Sequence, residues 1–251
     1  MAMPDREALG KGIAPGDEVG LDRSRSGSIM SVKLDAYDML FPTPLWCYSV
    51  ENHEELNRRL LTEIAARREV EPDRASGNRI GWQSQHDLFE RTEPAHVELV
   101  GHIRQAVLDT VRRMSFEIGE VKFGYNGWIN VNPPGGYIGP HSHPRALLSG
   151  SYYVDVPGES ETAGGDIEFI SPHAVTLLSG LIKSPMLLDK RRVKPKPGTF
   201  LIFLSTQMHW VLPNNTDHER VSVAFNLSAQ GNPMTPLKTG AKPASASPRR
   251  S

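Results

Sequence analysis

Two histidines one residue apart, His141 and His143, lie in the stretch WINVNPPGGYIGPHSHPRALLSGSYYV between Trp128 and Val154. Side chains of an extended strand repeat every two residues, so the two imidazoles share a face while Ser142 turns away from it. Imidazole suits Fe, Zn, Cu and Ni, and a pair at this spacing fills two adjacent coordination positions and leaves the others open. A third ligand must come from elsewhere in the chain. His209, which follows the apolar run Phe200–Leu204, is the best candidate. Further on, Arg220 heads the alternating segment Arg220-Val-Ser-Val-Ala-Phe-Asn226. A guanidinium on such a strand is expensive to bury without an anionic partner. The pattern, with the first pair opening one strand and His209 closing another, predicts a metal centre with an anion-binding arginine.

Elements with the right periodicity are available to carry these groups. Leu56, Leu60, Leu61 and Ile64 recur at helical spacing after Asn52, a capping residue followed by Glu54 and Glu55, and predict a helix to Val70. Val97, Val100, Ile103, Val107, Leu108 and Val111 predict a second helix from Pro94 to Met114, with His96 and His102 on its wet side. Before the helices, Leu45–Tyr48 follows Pro42 and Pro44 and suits an edge strand, its Cys47 reading as a packed thiol. After them, strand patterns run over 121–125, 127–131, 147–156, 165–170, 198–204 and 220–227, separated by turn signals such as Pro133-Pro-Gly-Gly136 and Asn214-Asn215. Two helices followed by six or more short strands predict an α+β protein: a jelly roll, or double-stranded β-helix, covered by two N-terminal helices.

The 251 residues suffice for one large core, expected over 31–229, with a disordered leader at 1–30 and a disordered tail at 230–251. A net charge of −1 gives no reason to expect nucleic acid or an anionic membrane as partner. A single cysteine forms no internal disulfide, and neither a secretory leader nor a run of eighteen apolar residues is evident, so a cytoplasmic protein acting on a small molecule is expected. A homodimer is left open. The loop 76–86 could line a pocket or merely pack Trp82 on the sheet. The insertion 171–193 could act as a lid or an oligomer contact. Trp128, Trp210 and Tyr137 are candidates for an aromatic wall, and Gln83, Arg145 and the cluster Lys190–Arg192 for recognition of an acid.

Taken in order, the His141-Ser-His143-Pro144 element, Leu148-Ser-Gly-x-Tyr-Tyr-Val154, Gly164-Gly-Asp-Ile-Glu-Phe169, Pro197-Gly-x-Phe-Leu-Ile-Phe203, His209 and Arg220-x-Ser222 resemble the 2-oxoglutarate/Fe(II)-dependent oxygenase superfamily. Leu40-Phe-Pro-Thr-Pro44 and Gly81-Trp-Gln-Ser84 extend the likeness to a bacterial subfamily of such oxygenases. The resemblance implies Fe(II) and 2-oxoglutarate as cofactors, O2 as co-reactant and oxidation, most often hydroxylation, of a small organic substrate. It implies His141 and His209 as metal ligands, Arg220 with Ser222 at the distal carboxylate of 2-oxoglutarate, and Tyr153 and Asn132 as further cosubstrate contacts. The family places Asp or Glu where this chain has His143. A three-His site therefore stands beside one with a displaced carboxylate, Asp155 or Asp166, and beside two other readings: a cupin-like three-His dioxygenase that uses no 2-oxoglutarate, and a non-catalytic metal-binding barrel.

Overall fold

The computed structural model describes residues 43–74, 78–114, 122–158, 162–172 and 188–230. The expected leader, the tail beyond 230 and residues 173–187 of the insertion lie outside the described residues.

Along the described chain an edge strand β1 (Leu45–Ser49) precedes α1 (His53–Val70). Two dipeptide strands follow, β2 (Asn78–Arg79) and β3 (Trp82–Gln83), then a 3-10 turn at Leu88–Glu90 and α2 (Pro94–Arg113). The remaining strands are β4 (Lys122–Asn132), β5 (Tyr137–His141), β6 (Leu148–Asp155), β7 (Ile167–Ile170), β8 (Lys190–Val193), β9 (Thr199–Leu204), β10 (His209–Val211) and β11 (Arg220–Gln230). They form a six-stranded sheet in the order β1-β9-β6-β11-β4-β3 and a five-stranded sheet in the order β2-β5-β10-β7-β8. Every pairing is antiparallel. This is the expected jelly roll with two helices.

Strand alternation decides the two faces of the larger sheet. Ile129 and Val131, Leu148 and Tyr152, Phe200 and Ile202, and Val221, Val223, Phe225 and Leu227 join Leu60, Leu99, Ile103 and Val107 of the helices in one buried cluster. The intervening positions, Asn130, Ser149, Ser222 and Asn226 among them, line a cavity on the other face. A buried polar bridge fastens α1 to the sheet: Tyr152 donates to Asn57 Oδ1 at 2.6 Å, and Asn57 Nδ2 donates to the Val154 carbonyl at 2.8 Å.

Several local expectations change. The runs at 121–125 and 127–131 join into the single strand β4, because Gly127 opposes Phe225 in register and leaves room for Leu88 and Phe89 against the backbone. Gln230, assigned to the tail, continues β11 by pairing with Lys122. Asn52 stands at the head of α1 but at φ 53°, without a side-chain cap. His96 is not on a wet face: it is 1% exposed, with Nδ1 2.6 Å from Glu63 Oε2, and Glu63 also accepts the free amides of Ala95 and His96 at the start of α2. Cys47 is exposed rather than packed, because it alternates outward on an edge strand. Arg67, buried among Glu71 and Asp87, ties the end of α1 to the segment that follows β3.

Gly150 shows how closely β6 and β11 pack: a methyl group there would lie 2.4 Å from Phe225 Cζ and 2.8 Å from the Leu201 carbonyl. Gly150→Ala is expected to lower unfolding stability by roughly 1–3 kcal/mol, the usual range for overpacking, read as a lower urea midpoint at unchanged slope.

Candidate metal and anion site

Adjacent strands β5 and β10 of the five-stranded sheet bring His141 and His209 together, and the turn after β5 adds His143. β5 ends on His141 and β10 begins on His209, and the two residues are register partners on adjacent strands. The expected strand positions are thus reversed, since the pair closes a strand and His209 opens one. Short strands containing Gly139 and Pro140, or only three residues long, carry too little alternation to be read from sequence. His143 lies past the end of β5, where its amide donates to the Ser205 carbonyl at 2.8 Å and its carbonyl accepts from Ala146 at 3.0 Å, turning the chain back toward the cluster. One donor atom from each imidazole lies within 4.8 Å of the others.

The tautomers follow from the hydrogen bonds. His141 Nδ1 lies 2.8 Å from the Gly139 carbonyl and His209 Nδ1 lies 2.9 Å from the Gln207 carbonyl. A carbonyl only accepts, so both Nδ1 atoms carry the proton and both Nε2 atoms keep a lone pair. Burial holds His141 below its ordinary value, against the Gly139 hydrogen bond. Burial and then the neighbouring His141 and His86 push His143 down to about 4. Burial and then His141 push His209 down to about 3. Three neutral imidazoles with one ring nitrogen each within 4.8 Å of the others suit a divalent cation. The alternative carboxylates do not join them: Asp155 Oδ2 bonds His218 at 2.8 Å, and Asp166 has a buried oxygen without a partner, its pKa raised by burial against Lys194, Arg192 and Arg220.

Arg220 lies in the same cavity, of about 440 Å³, yet is only 1% exposed. Its Nε donates to the Gly165 carbonyl at 2.9 Å, and Nη1 donates to Ser222 Oγ at 3.0 Å and Asn132 Oδ1 at 3.4 Å. The guanidinium carbon stands 5.3 Å from the centre of the Tyr153 ring. No carboxylate among the described residues forms an ion pair with it. Burial lowers the Arg220 pKa, opposed by Tyr153 and Asp166, and burial raises Tyr153 to about 12. The structure therefore presents a buried cation held by neutral groups, as a site for a carboxylate requires. Ser222 lines the cavity, whereas Asn132 and Tyr153 are fully buried beside Arg220 and reach the cavity only through it.

Other predicted contacts divide. Trp128 and Gln83 line the cavity, while Trp210 and Tyr137 do not. Trp210 donates to Glu168 Oε1 at 2.9 Å, and the basic cluster expected to meet an acid is bound to the same carboxylate, through Arg192 at 3.0 Å and Lys190 at 3.6 Å. Arg145 is exposed outside the cavity lining. Both readings of the 76–86 loop hold in part: Trp82 packs in the helix–sheet core, while Gln83 and His86 reach the cavity. His86, unassigned in the sequence, stacks on Trp128 with ring centres 4.3 Å apart. It arrives there because Ile80 at φ 57° and Gly81 at φ 147° bend the chain from β2 in one sheet to β3 in the other, which no periodicity announces.

Residues 126–226 match a protein-family model described as "Putative 2OG-Fe(II) oxygenase". No curated protein matches the chain at a significant level. Among solved structures, a Pseudomonas putida prolyl-4-hydroxylase aligns at 18% identity and TM-score 0.55, covering 74% of this chain and 93% of that one. A Trichoplax adhaerens prolyl hydroxylase, solved with a hypoxia inducible factor peptide fragment, aligns at 15% and 0.52, covering 73% and 83%. HygX from Streptomyces hygroscopicus, solved with nickel and 2-oxoglutarate, aligns at 12% and 0.53, covering 74% and 83%. At these identities the structures establish the fold, and the family match covers the central strands that carry the histidines and Arg220. Over residues 126–226 the chain resembles the 2-oxoglutarate/Fe(II)-dependent oxygenases, a family whose cofactors are iron and 2-oxoglutarate.

Lowered histidine pKa values imply a pH dependence. Below about 6.5 the unfolded chain protonates its imidazoles, whereas the folded metal-free protein protonates His143 and His209 only near 4 and 3. Stability is fully present above pH 6.5 and falls as pH drops through that window. His209→Gln is expected to make the decline shallower by one proton, about 1.4 kcal/mol per pH unit, read from chemical unfolding of metal-free protein between pH 7 and 4.

Proposed function

We propose that His141, His143 and His209 hold Fe(II), and that Arg220 and Ser222 bind the distal carboxylate of 2-oxoglutarate, in an enzyme that couples decarboxylation of this cosubstrate to oxidation of a small organic substrate, most often hydroxylation. One observation carries this reading. Three neutral imidazoles with ring nitrogens within 4.8 Å of one another and a buried guanidinium with no ion-paired carboxylate among the described residues share a single cavity.

When bound, iron and 2-oxoglutarate supply the activation of O2 and the electrons that reduce it, with release of succinate and carbon dioxide. The chain supplies position and electrostatics. The Gly139 and Gln207 carbonyls fix two ring orientations. Gly165, Asn132 and Ser222 engage Nε and Nη1 and hold the Arg220 plane, leaving Nη2 to meet a carboxylate, and the Tyr153 ring supports its face. Because His143 occupies the position where the family has a carboxylate, the ligand set contributes no negative charge. A bound 2-oxoglutarate would then supply negative charge toward both the histidine cluster and Arg220.

Full replacement of the carboxylate by imidazole also suits a cupin-like dioxygenase that consumes O2 without 2-oxoglutarate. Arg220 favours the first reading, since the second gives it nothing to bind. Calorimetric titration of 2-oxoglutarate into Zn(II)-loaded protein is expected to show binding that Arg220→Ala weakens by about 100-fold, the scale of a lost buried charge-assisted contact. An unchanged affinity, together with O2 uptake that needs no 2-oxoglutarate, would exclude the proposal. His209→Ala is expected to abolish stoichiometric metal retention after gel filtration, since the two remaining imidazoles make a weak site.

A further inference from the structure

The inward ladder of β11 continues past the residues assigned to the cosubstrate. Beyond Ser222 and Ala224 it reaches Asn226, whose Oδ1 accepts a hydrogen bond from Ser149 Oγ at 2.7 Å across the β11–β6 pair. Both side chains are more than nine-tenths buried and both line the cavity. Six residues of strand separate Asn226 from Arg220, roughly 20 Å at an extended rise. The pair therefore stands at the far end of the cavity from the guanidinium.

That end faces the imidazoles. Phe203, the register partner of Ser149, has its ring 4.7 Å from that of His209. Trp128, with His86 stacked on it, forms the adjoining wall at 5.8 Å from His143. With 2-oxoglutarate held by Arg220 as proposed, the cavity would still be lined by Asn226, Ser149, Trp128 and His86, together with Arg79. Neither the metal nor the cosubstrate needs these groups, yet two of them are buried polar side chains. Their pairing leaves Asn226 one unspent amide group whichever way the amide is turned, because a hydroxyl can either donate or accept. No carboxylate among the described residues lines the cavity, so nothing there would receive an ammonium group.

We infer that Asn226, oriented by Ser149, is a specificity-determining residue that hydrogen-bonds an uncharged hydroxyl or carboxamide of the primary substrate beside the metal. The inference rests on the oxygenase reading above. It names the substrate class as non-cationic and hydrogen-bonding, with a flat or apolar portion against Trp128.

Saturation-transfer NMR on Zn(II)-loaded protein, with and without 2-oxoglutarate, tests it with three probes of matched size: benzamide, benzyl alcohol and protonated benzylamine. The neutral probes are expected to bind and benzylamine is not. Asn226→Leu should weaken benzamide by about tenfold or more, the scale of a lost buried hydrogen bond, with a much smaller effect on 2-oxoglutarate affinity measured by calorimetry. Asn226→Asp should invert the order in favour of benzylamine, a reversal that general damage to the fold would not produce. Ser149→Ala, which frees the amide without removing it, should weaken benzamide by less than Asn226→Leu does. Three outcomes overturn the inference: no binding of either neutral probe by the wild type, probe binding unaffected by both Asn226 variants, or an equal loss of 2-oxoglutarate affinity, which would make Asn226 a cosubstrate contact. Absence of 2-oxoglutarate binding in the wild type would instead remove the oxygenase reading, while the probe order and its inversion remain readable on Zn(II) protein alone.

Discussion

A guanidinium removed from water with no ion-paired carboxylate among the described residues is held at a large desolvation cost, and the position of Arg220 governs much else in this domain. Its hydrogen bonds run to a loop carbonyl, an amide and a hydroxyl, none of which neutralises it. Such an arrangement persists only if the surrounding structure over-determines the side chain. Here Gly165 fixes one edge from the turn before β7, Ser222 fixes another from the same strand, and Tyr153 fills the space against the guanidinium face. What remains open is a cation directed into a cavity whose other end carries three neutral imidazoles.

The helices make that polar interior affordable. In a sheet covered on one face, apolar burial is concentrated on that face, and the alternate positions of β4, β6 and β11 are released from packing duty. Ile129, Tyr152, Val223 and Phe225 carry the core with α1 and α2, while Asn130, Ser151, Ser222 and Asn226 turn to the cavity. The same alternation explains why polar residues recur inside strands that are otherwise strongly apolar. A one-residue slip of β11 would exchange the two sets and remove both the core and the site.

Charge balance distinguishes this cavity from one built on two histidines and a carboxylate. With His143 in the cluster, Asp155 bonded to His218 and Asp166 outside the cavity lining, the described lining holds positive and neutral groups only. In such a setting a divalent ion plus Arg220 would carry three positive charges, of which a dianionic cosubstrate would offset two. The Asn226–Ser149 pair then meets what is left of the cavity with uncharged hydrogen-bonding groups.

Much of the domain was legible in the chain itself. Helical spacing of Leu56, Leu60 and Ile64, and of Val100, Ile103, Val107 and Val111, located both helices, because burial of one face imposes a 3.6-residue period. The long strands β6, β9 and β11 showed themselves by period-two alternation, and the residue types of His141, His143, His209 and Arg220 restricted the chemistry to metal and anion binding. Tertiary structure alone decided the rest. Strands β2, β3 and β10 are two or three residues long and exist only because neighbouring strands supply their hydrogen bonds. His96 is buried because a carboxylate on the other helix reaches it, and His86 enters the cavity because a bend at Ile80 and Gly81 carries the chain between sheets. Local sequence encodes periodicity and capability. Which distant side chains meet depends on strand register and on the closure of the two sheets, and those are set by contacts that no single segment contains.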